Sequence, residues 1–133
     1  MAVTENQIMT GARDFKSLRD VPVAASQHIY ENTLVYLNAA GFAVVAVASA
    51  TFWGIAKFEV DNSSGSAGDL IAEVFQKGSF EVPYSGVADT DRGVAAEGVD
   101  NFAVQELSSG PRVGTVMNAP RSGIAEVEID VQV

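Results

Sequence analysis

Hydrophobic and polar positions alternate most strictly at the end of the chain. Ala125, Val127, Ile129, Val131 and Val133 are separated by Glu126, Glu128, Asp130 and Gln132. A period of two sends successive side chains to opposite faces, so the segment predicts a strand with its apolar set on a core and its acids in water. Earlier segments carry related patterns. Thr33–Leu37 is β-branched and aromatic, Asn38–Gly41 is a turn, and Phe42–Val47 is apolar again, which predicts a hairpin. Thr51–Val60 reads as one strand, with Phe58 and Val60 facing one way and Lys57 and Glu59 the other. Leu70–Gln76 and Ser79–Pro83 flank Lys77-Gly78 and predict a second hairpin. Asn101–Leu107 and Arg112–Met117 read as strands around a turn at Ser108–Pro111. Between them lie a Gly- and Ser-rich loop, Asp61–Asp69, and a longer connection, Tyr84–Asp100. The pattern predicts an all-β fold, a small sandwich or partly open barrel of about seven to eight short strands, preceded by an N-terminal extended arm.

The arm, residues 1–22, differs from the β domain, residues 23–133. Thr4-Glu5-Asn6-Gln7 has the form of a capping box, and Ile8, Ala12, Phe15 and Leu18 follow at helical spacing, weakened by Gly11. The alternative is a loosely ordered terminus. Three basic residues, Arg13, Lys16 and Arg19, fall in this stretch beside Phe15 and Leu18. In an otherwise acidic chain, these five are the candidate docking residues.

Composition narrows the function. A chain of 133 residues with 47% hydrophobic content fits one domain with a real core. It has no Cys and a single His, which excludes disulfides, thiolate chemistry and multi-His metal sites. Asp and Glu total 17 against 8 Lys and Arg, a net charge of −9. Nucleic acid and anionic membrane are therefore excluded as expected partners, since both need clustered basic residues. The longest apolar run, Ala39–Ala48, is about ten residues, too short to span a bilayer. The N-terminus has no basic segment followed by an apolar one, so synthesis in the cytoplasm is expected.

Each candidate for chemistry has a plainer reading. His28 lacks a nucleophile motif and reads as a hydrogen-bonded or surface His. Asp89-Thr90-Asp91-Arg92-Gly93 begins like a calcium loop, but the sixth position is Val94 and the twelfth Asp100, so a turn closed by Asp side chains fits better. Glu126, Glu128 and Asp130 read as a solvated strand face. Lys77 beside a turn Gly lacks the flanking residues of a swinging-arm carrier. Asp61–Asp69 has no phosphate-binding Lys or glycine pattern. The aromatic residues Phe52, Trp53, Phe58, Phe75, Phe80, Tyr84 and Phe102 read as core or subunit-interface packing.

The strand motifs themselves carry a likeness. Trp53-Gly54-Ile55-Ala56, an Asp- and Gly-rich loop, and then Ile71 through Pro83 (Ile-Ala-Glu-Val-Phe-Gln-Lys-Gly-Ser-Phe-Glu-Val-Pro) resemble the head-decoration, or capsid cement, proteins of tailed bacteriophages. Arg112–Met117, the turn Ser122-Gly123 and Ala125–Val131 are similar to that family's closing pair of strands. Where the family has a Gly-Asp-Val-Tyr-like strand, this chain has Glu97–Val104 with the Gly-Asp pair displaced and no Tyr. The resemblance implies a structural virion protein on the outer surface of the head, bridging major capsid subunits, with self-association as a homotrimer. It implies no enzyme activity, no cofactor and no metal. The alternatives are another small β virion component (tail tube, head completion or adhesin) or a ligand-binding or carrier β-barrel.

Overall fold

The computed structural model describes residues 2–7, 17–47 and 50–131. In chain order its strands are β1 (Leu18–Pro22), β2 (Gln27–Ile29), β3 (Leu34–Leu37), β4 (Ala43–Val44), β5 (Thr51–Ala56) and β6 (Val60–Asn62). They continue with β7 (Ile71–Phe75), β8 (Lys77–Pro83), β9 (Ala95–Gly98), β10 (Val104–Glu106), β11 (Arg112–Arg121) and β12 (Ile124–Asp130). Among the described residues one 3-10 turn, Asp89–Asp91, precedes β9. No helix among the described residues is long and apolar enough to cross a membrane.

The strands form two five-stranded sheets, in the orders β1-β7-β5-β3-β4 and β10-β9-β11-β12-β8, and a two-stranded ribbon, β2-β6. Neighbouring strands run antiparallel. The sheets do not close into a barrel, so of the two expected architectures the sandwich is the one adopted. One core lies between the sheets, where Leu34, Tyr36, Phe52 and Ile55 of the first meet Phe80, Val116, Val127 and Ile129 of the second. A second core lies on the other face of the first sheet, where Val35, Ala56, Ala72 and Val74 pack with Ile29 of the ribbon. The centre of the first sheet is thus buried on both faces. This accounts for the unbroken apolar run of β3, in which Leu34 and Tyr36 serve one core and Val35 the other.

Two bulges shape the inter-sheet core. Tyr36 pairs with Phe52 and Val35 with Gly54, leaving Trp53 as an extra residue. Phe52 and Ile55, three apart, therefore both reach the same core. Gly54 has φ of 157°, and a Cβ there would lie 2.5 Å from the Phe75 carbonyl oxygen, so a side chain has no room. In β11 the register shifts between Arg112 and Gly114, and Val113 and Val116 likewise share one core.

The chain crosses from one sheet to the other at Gln76, between β7 and β8. Its N–H donates to the Ser17 carbonyl (2.9 Å) and its carbonyl accepts from the Val131 N–H (3.0 Å). Its buried side chain donates to the Trp53 carbonyl and accepts from Arg19 Nε, both at 2.9 Å. The hairpin expected around Lys77-Gly78 is therefore not formed: β7 and β8 lie in different sheets, and Gly78 pairs with Ile129. Two of the prolines, Pro22 and Pro83, fit the ladder. Backbone bonds at Ser17 and Val23 direct the odd positions of β1 towards β7, so Pro22 faces away and its missing N–H breaks no bond. Pro83 is placed the same way, because its neighbour Tyr84 donates to the Gly123 carbonyl.

Other expectations need correction. Among the described residues there are twelve strands, where seven or eight were expected. The run Thr51–Val60 divides, β5 ending at Ala56 and β6 starting at Val60 in the ribbon, because the chain leaves the sheet at Lys57. The connection Tyr84–Asp100 contains β9, and the strand expected from Asn101 starts only at Val104. The boundary at residue 22 falls at the end of β1, which belongs to the first sheet. Residues 4–7 are not helical. Gln7 Nε2 donates to the Glu5 carbonyl, and the Gln7 N–H bonds Glu31 across the fold, so neighbouring loops satisfy the groups that a capping box would have satisfied. The helical spacing through Ile8, Ala12 and Phe15 lies outside the described residues, and Leu18 is in a strand.

Candidate functional site

Of the five candidate docking residues, Arg13, Phe15 and Lys16 lie outside the described residues. Leu18 and Arg19 sit on β1, and their side chains diverge: Arg19 turns to Gln76, while Leu18 remains 45% exposed.

The start of the chain is held against the domain by side-chain clamps. The Val3 N–H donates to Asn101 Oδ1 (3.0 Å) and Asn101 Nδ2 donates back to the Val3 carbonyl (3.2 Å). Asn6 accepts from the Glu31 N–H (2.7 Å) and donates to Glu59 (2.9 Å), and Asn32 Nδ2 donates to the Gln7 carbonyl. Glu59 is shared, because His28 Nε2 lies 2.6 Å from its other oxygen. The imidazole stacks on Tyr30 with 4.1 Å between centroids, and its Nδ1 lies 3.8 Å from Asp61. The His28 hydrogen bond, and after it that of Asn6, hold the Glu59 carboxyl below its usual range. The Ser63 hydroxyl and N–H do the same for Asp61. Ser63 thus donates to a carboxylate, and among the described residues His28 meets the acids Glu59 and Asp61 and no nucleophile is aligned on it.

A second polar centre was not read from the sequence. Glu97, on β9, is 5% exposed, and its carboxylate gathers the β10–β11 turn. It accepts from the Ser108 N–H (2.8 Å), Gln105 Nε2 (2.7 Å) and the Gly110 N–H (2.6 Å). These donors, Ser108 foremost, lower its pKa to about 2. A Cβ on Gly110 would sit 3.0 Å from the carboxyl carbon, so the glycine permits the close wrap. The available signal was an acid set among Ala95, Ala96 and Gly98, small residues that let a loop approach it. Two open hollows of about 370 and 310 Å³ flank the turn and share Ala50 and Pro111. One is lined by Phe52, Arg112 and Val113, the other by Glu97 and Gln105.

The remaining candidates lie in a turn and in strands. Asp91 accepts from the Ala88 N–H (2.9 Å) and Arg92 lies 3.2 Å from Asp89, which closes a turn as expected. Lys77 opens β8 opposite Asp130 rather than capping a hairpin. On β12, Glu126 stands opposite Glu81, which pairs with Arg121 at the end of β11, Glu128 stands opposite Ser79 and Asp130 opposite Lys77, so basic residues of both neighbouring strands accompany this acidic row. Among the described residues no cluster of His, Asp and Glu is arranged to hold a metal ion.

One surface is apolar where it meets water. On β7, Ala72 and Val74 face the ribbon-side core, so Ile71, Glu73 and Phe75 face the other way. Of these, Phe75 reaches the inter-sheet core, while Ile71 is 55% exposed. The register places Leu18 beside Phe75, Asp20 beside Glu73 and Pro22 beside Ile71. Lys57 joins the middle row, 3.4 Å from Glu73, with the exposed Phe58 ring 5.0 Å from its ammonium. The result is a shelf of the first sheet that the second leaves uncovered. Compared with known proteins, the chain matches no family model and no curated sequence.

Proposed function

We propose that this chain is a structural virion protein that binds the outer surface of a bacteriophage head and stabilises it by bridging major capsid subunits, working as a homotrimer. One observation supports the reading above others. The segments that resemble decoration proteins become the strands around the inter-sheet core: Trp53–Ala56 lies in β5 beside β7, and Ser79–Pro83, Ala125–Asp130 and Arg112–Met117 lie in the adjacent strands β8, β12 and β11. The likeness therefore falls on one contiguous framework. Bridging needs a rigid domain and surface contacts rather than a reacting group, and many modest bridges acting together resist opening of a shell. A carrier barrel is the weaker alternative, since Lys77 lies in a strand and the sheets stay open.

Heat challenge of heads tests the proposal. Heads lacking the protein should release DNA at a lower temperature than complete heads, and added purified protein should restore resistance. Equal resistance with and without it rejects the cement role and favours a tail or adhesin component.

A further inference from the structure

The uncovered shelf on the first sheet has the composition of an interface. Leu18 and Ile71 are 45% and 55% exposed, on neighbouring strands of one sheet face, and Phe58 at the rim is 52% exposed. Large apolar side chains held open together by a sheet mark a surface that another molecule covers. Between them runs a charged row in which Glu73 is matched by Lys57 at 3.4 Å. Asp20, exposed beside Glu73, has no ion-pair partner among the described residues. The row therefore presents one unmatched negative charge inside an apolar frame.

The open edge of β1 is a poor template for strand addition. Only Leu18, Asp20 and Pro22 face outward along it, and Pro22 has no N–H to offer. Recognition there must use the side chains of the face. A second copy that docked through the same shelf is a poor occupant, because that two-fold contact would bring Asp20 and Glu73 of one copy against the same acids of the other. Complementarity favours a basic partner.

We infer that the shelf of Leu18, Asp20, Pro22 and Ile71 is the docking face for a basic protein surface, on which apolar side chains flank one Lys or Arg that meets Asp20. This rests on the decoration reading, and the basic surface is then part of the capsid shell. The apolar contacts supply affinity and the ion pair sets the register.

Co-sedimentation with heads stripped of the protein tests the inference. The full chain is compared with Ile71→Glu, Asp20→Lys and, on the exposed side of β11, Met117→Glu, each checked for an unchanged thermal transition. Both shelf variants should bind about tenfold more weakly or worse, as central interface residues do. Met117→Glu should bind like the parent. Asp20→Lys, which replaces an exposed side chain without touching the core, keeps the test decisive if Ile71→Glu fails to fold. Parent-like binding by a folded Asp20→Lys together with Ile71→Glu overturns the docking face and leaves the decoration reading intact. Failure of the parent protein to bind heads removes both. Loss of self-association in Ile71→Glu, with head binding preserved, overturns the basic partner in favour of a second copy.

Discussion

The two five-stranded sheets are equal in strand number and differ in what their faces meet. The first is packed against the second on one side and against the ribbon on the other, so adjacent residues such as Leu34 and Val35 are both fully buried. The second has one dry face, with Ala125, Val127 and Ile129 on the core and Glu128 in water. A sheet in the middle of three layers gives up tolerance to polar residues along its central strands. A sheet on the outside keeps alternate positions free for solvent or partners. Towards β1 the central sheet emerges, and there the large apolar side chains of Leu18 and Ile71 are exposed beside the charged Arg19 and Asp20.

Charge substitutions break this comparison most sharply. Leu34→Asp and Val35→Asp, neighbours on opposite faces of β3, should both unfold the protein, because an unpaired buried carboxylate costs several kcal/mol, comparable to the whole stability of a small domain. Ile129→Asp on β12 should do the same. Circular dichroism at 25 °C checks all three. A folded Val35→Asp would mean that the ribbon does not seal its face of the first sheet.

Truncation gives the next largest effect. Deleting residues 1–22 removes β1 and exposes the core around Val21, itself 3% exposed. Loss of that one side chain from the core accounts for roughly 1.5–3 kcal/mol. Deleting only residues 1–7 removes the Asn101 and Glu59 clamps but no strand, and should cost less. Denaturant midpoints of the two truncations rank them, and equal midpoints would show that β1 adds nothing to the first sheet.

Acid sharpens the contrast at the β10–β11 turn. The Glu97 carboxyl is held at about 2, below its ordinary 4.5. A depressed folded-state pKa means that the contribution of Glu97 is fully present above pH 4.5 and is lost as the pH falls towards 2. Glu97→Gln should flatten this acid limb of the melting-temperature profile. A profile unchanged by the substitution would locate acid sensitivity elsewhere.

Smaller effects follow. The buried Tyr36 hydroxyl donates to the Asp100 carbonyl at 2.7 Å, so Tyr36→Phe should cost about 1 kcal/mol in urea unfolding. Glu128→Ser, on the wet face of β12, should change stability by no more than about 0.5 kcal/mol. If Glu128→Ser leaves the fold intact but abolishes head binding, the outer face of the second sheet is a docking surface too.

Local pattern determined a good deal of this molecule. The strict alternation of β12, the β3–β4 hairpin and the turn at Asp89–Asp91 were legible, because each depends on neighbours in sequence: side-chain period, loop length and acids that bond nearby N–H groups. Tertiary structure decided the rest. The spacings Phe52–Ile55 and Val113–Val116 break the period of two, since bulges opposite β3 and β9 add a residue that only the partner strand reveals. Lys77-Gly78 has the composition of a hairpin, yet Ser17 and Val131 capture the backbone of Gln76 and send β7 and β8 to different sheets. Glu97 is an ordinary acid until β10 and the turn after it, 8 to 13 residues away, fold three donors onto it. The apolar shelf depends on where the second sheet stops. That edge is set by the packing of whole sheets, and no single segment encodes it.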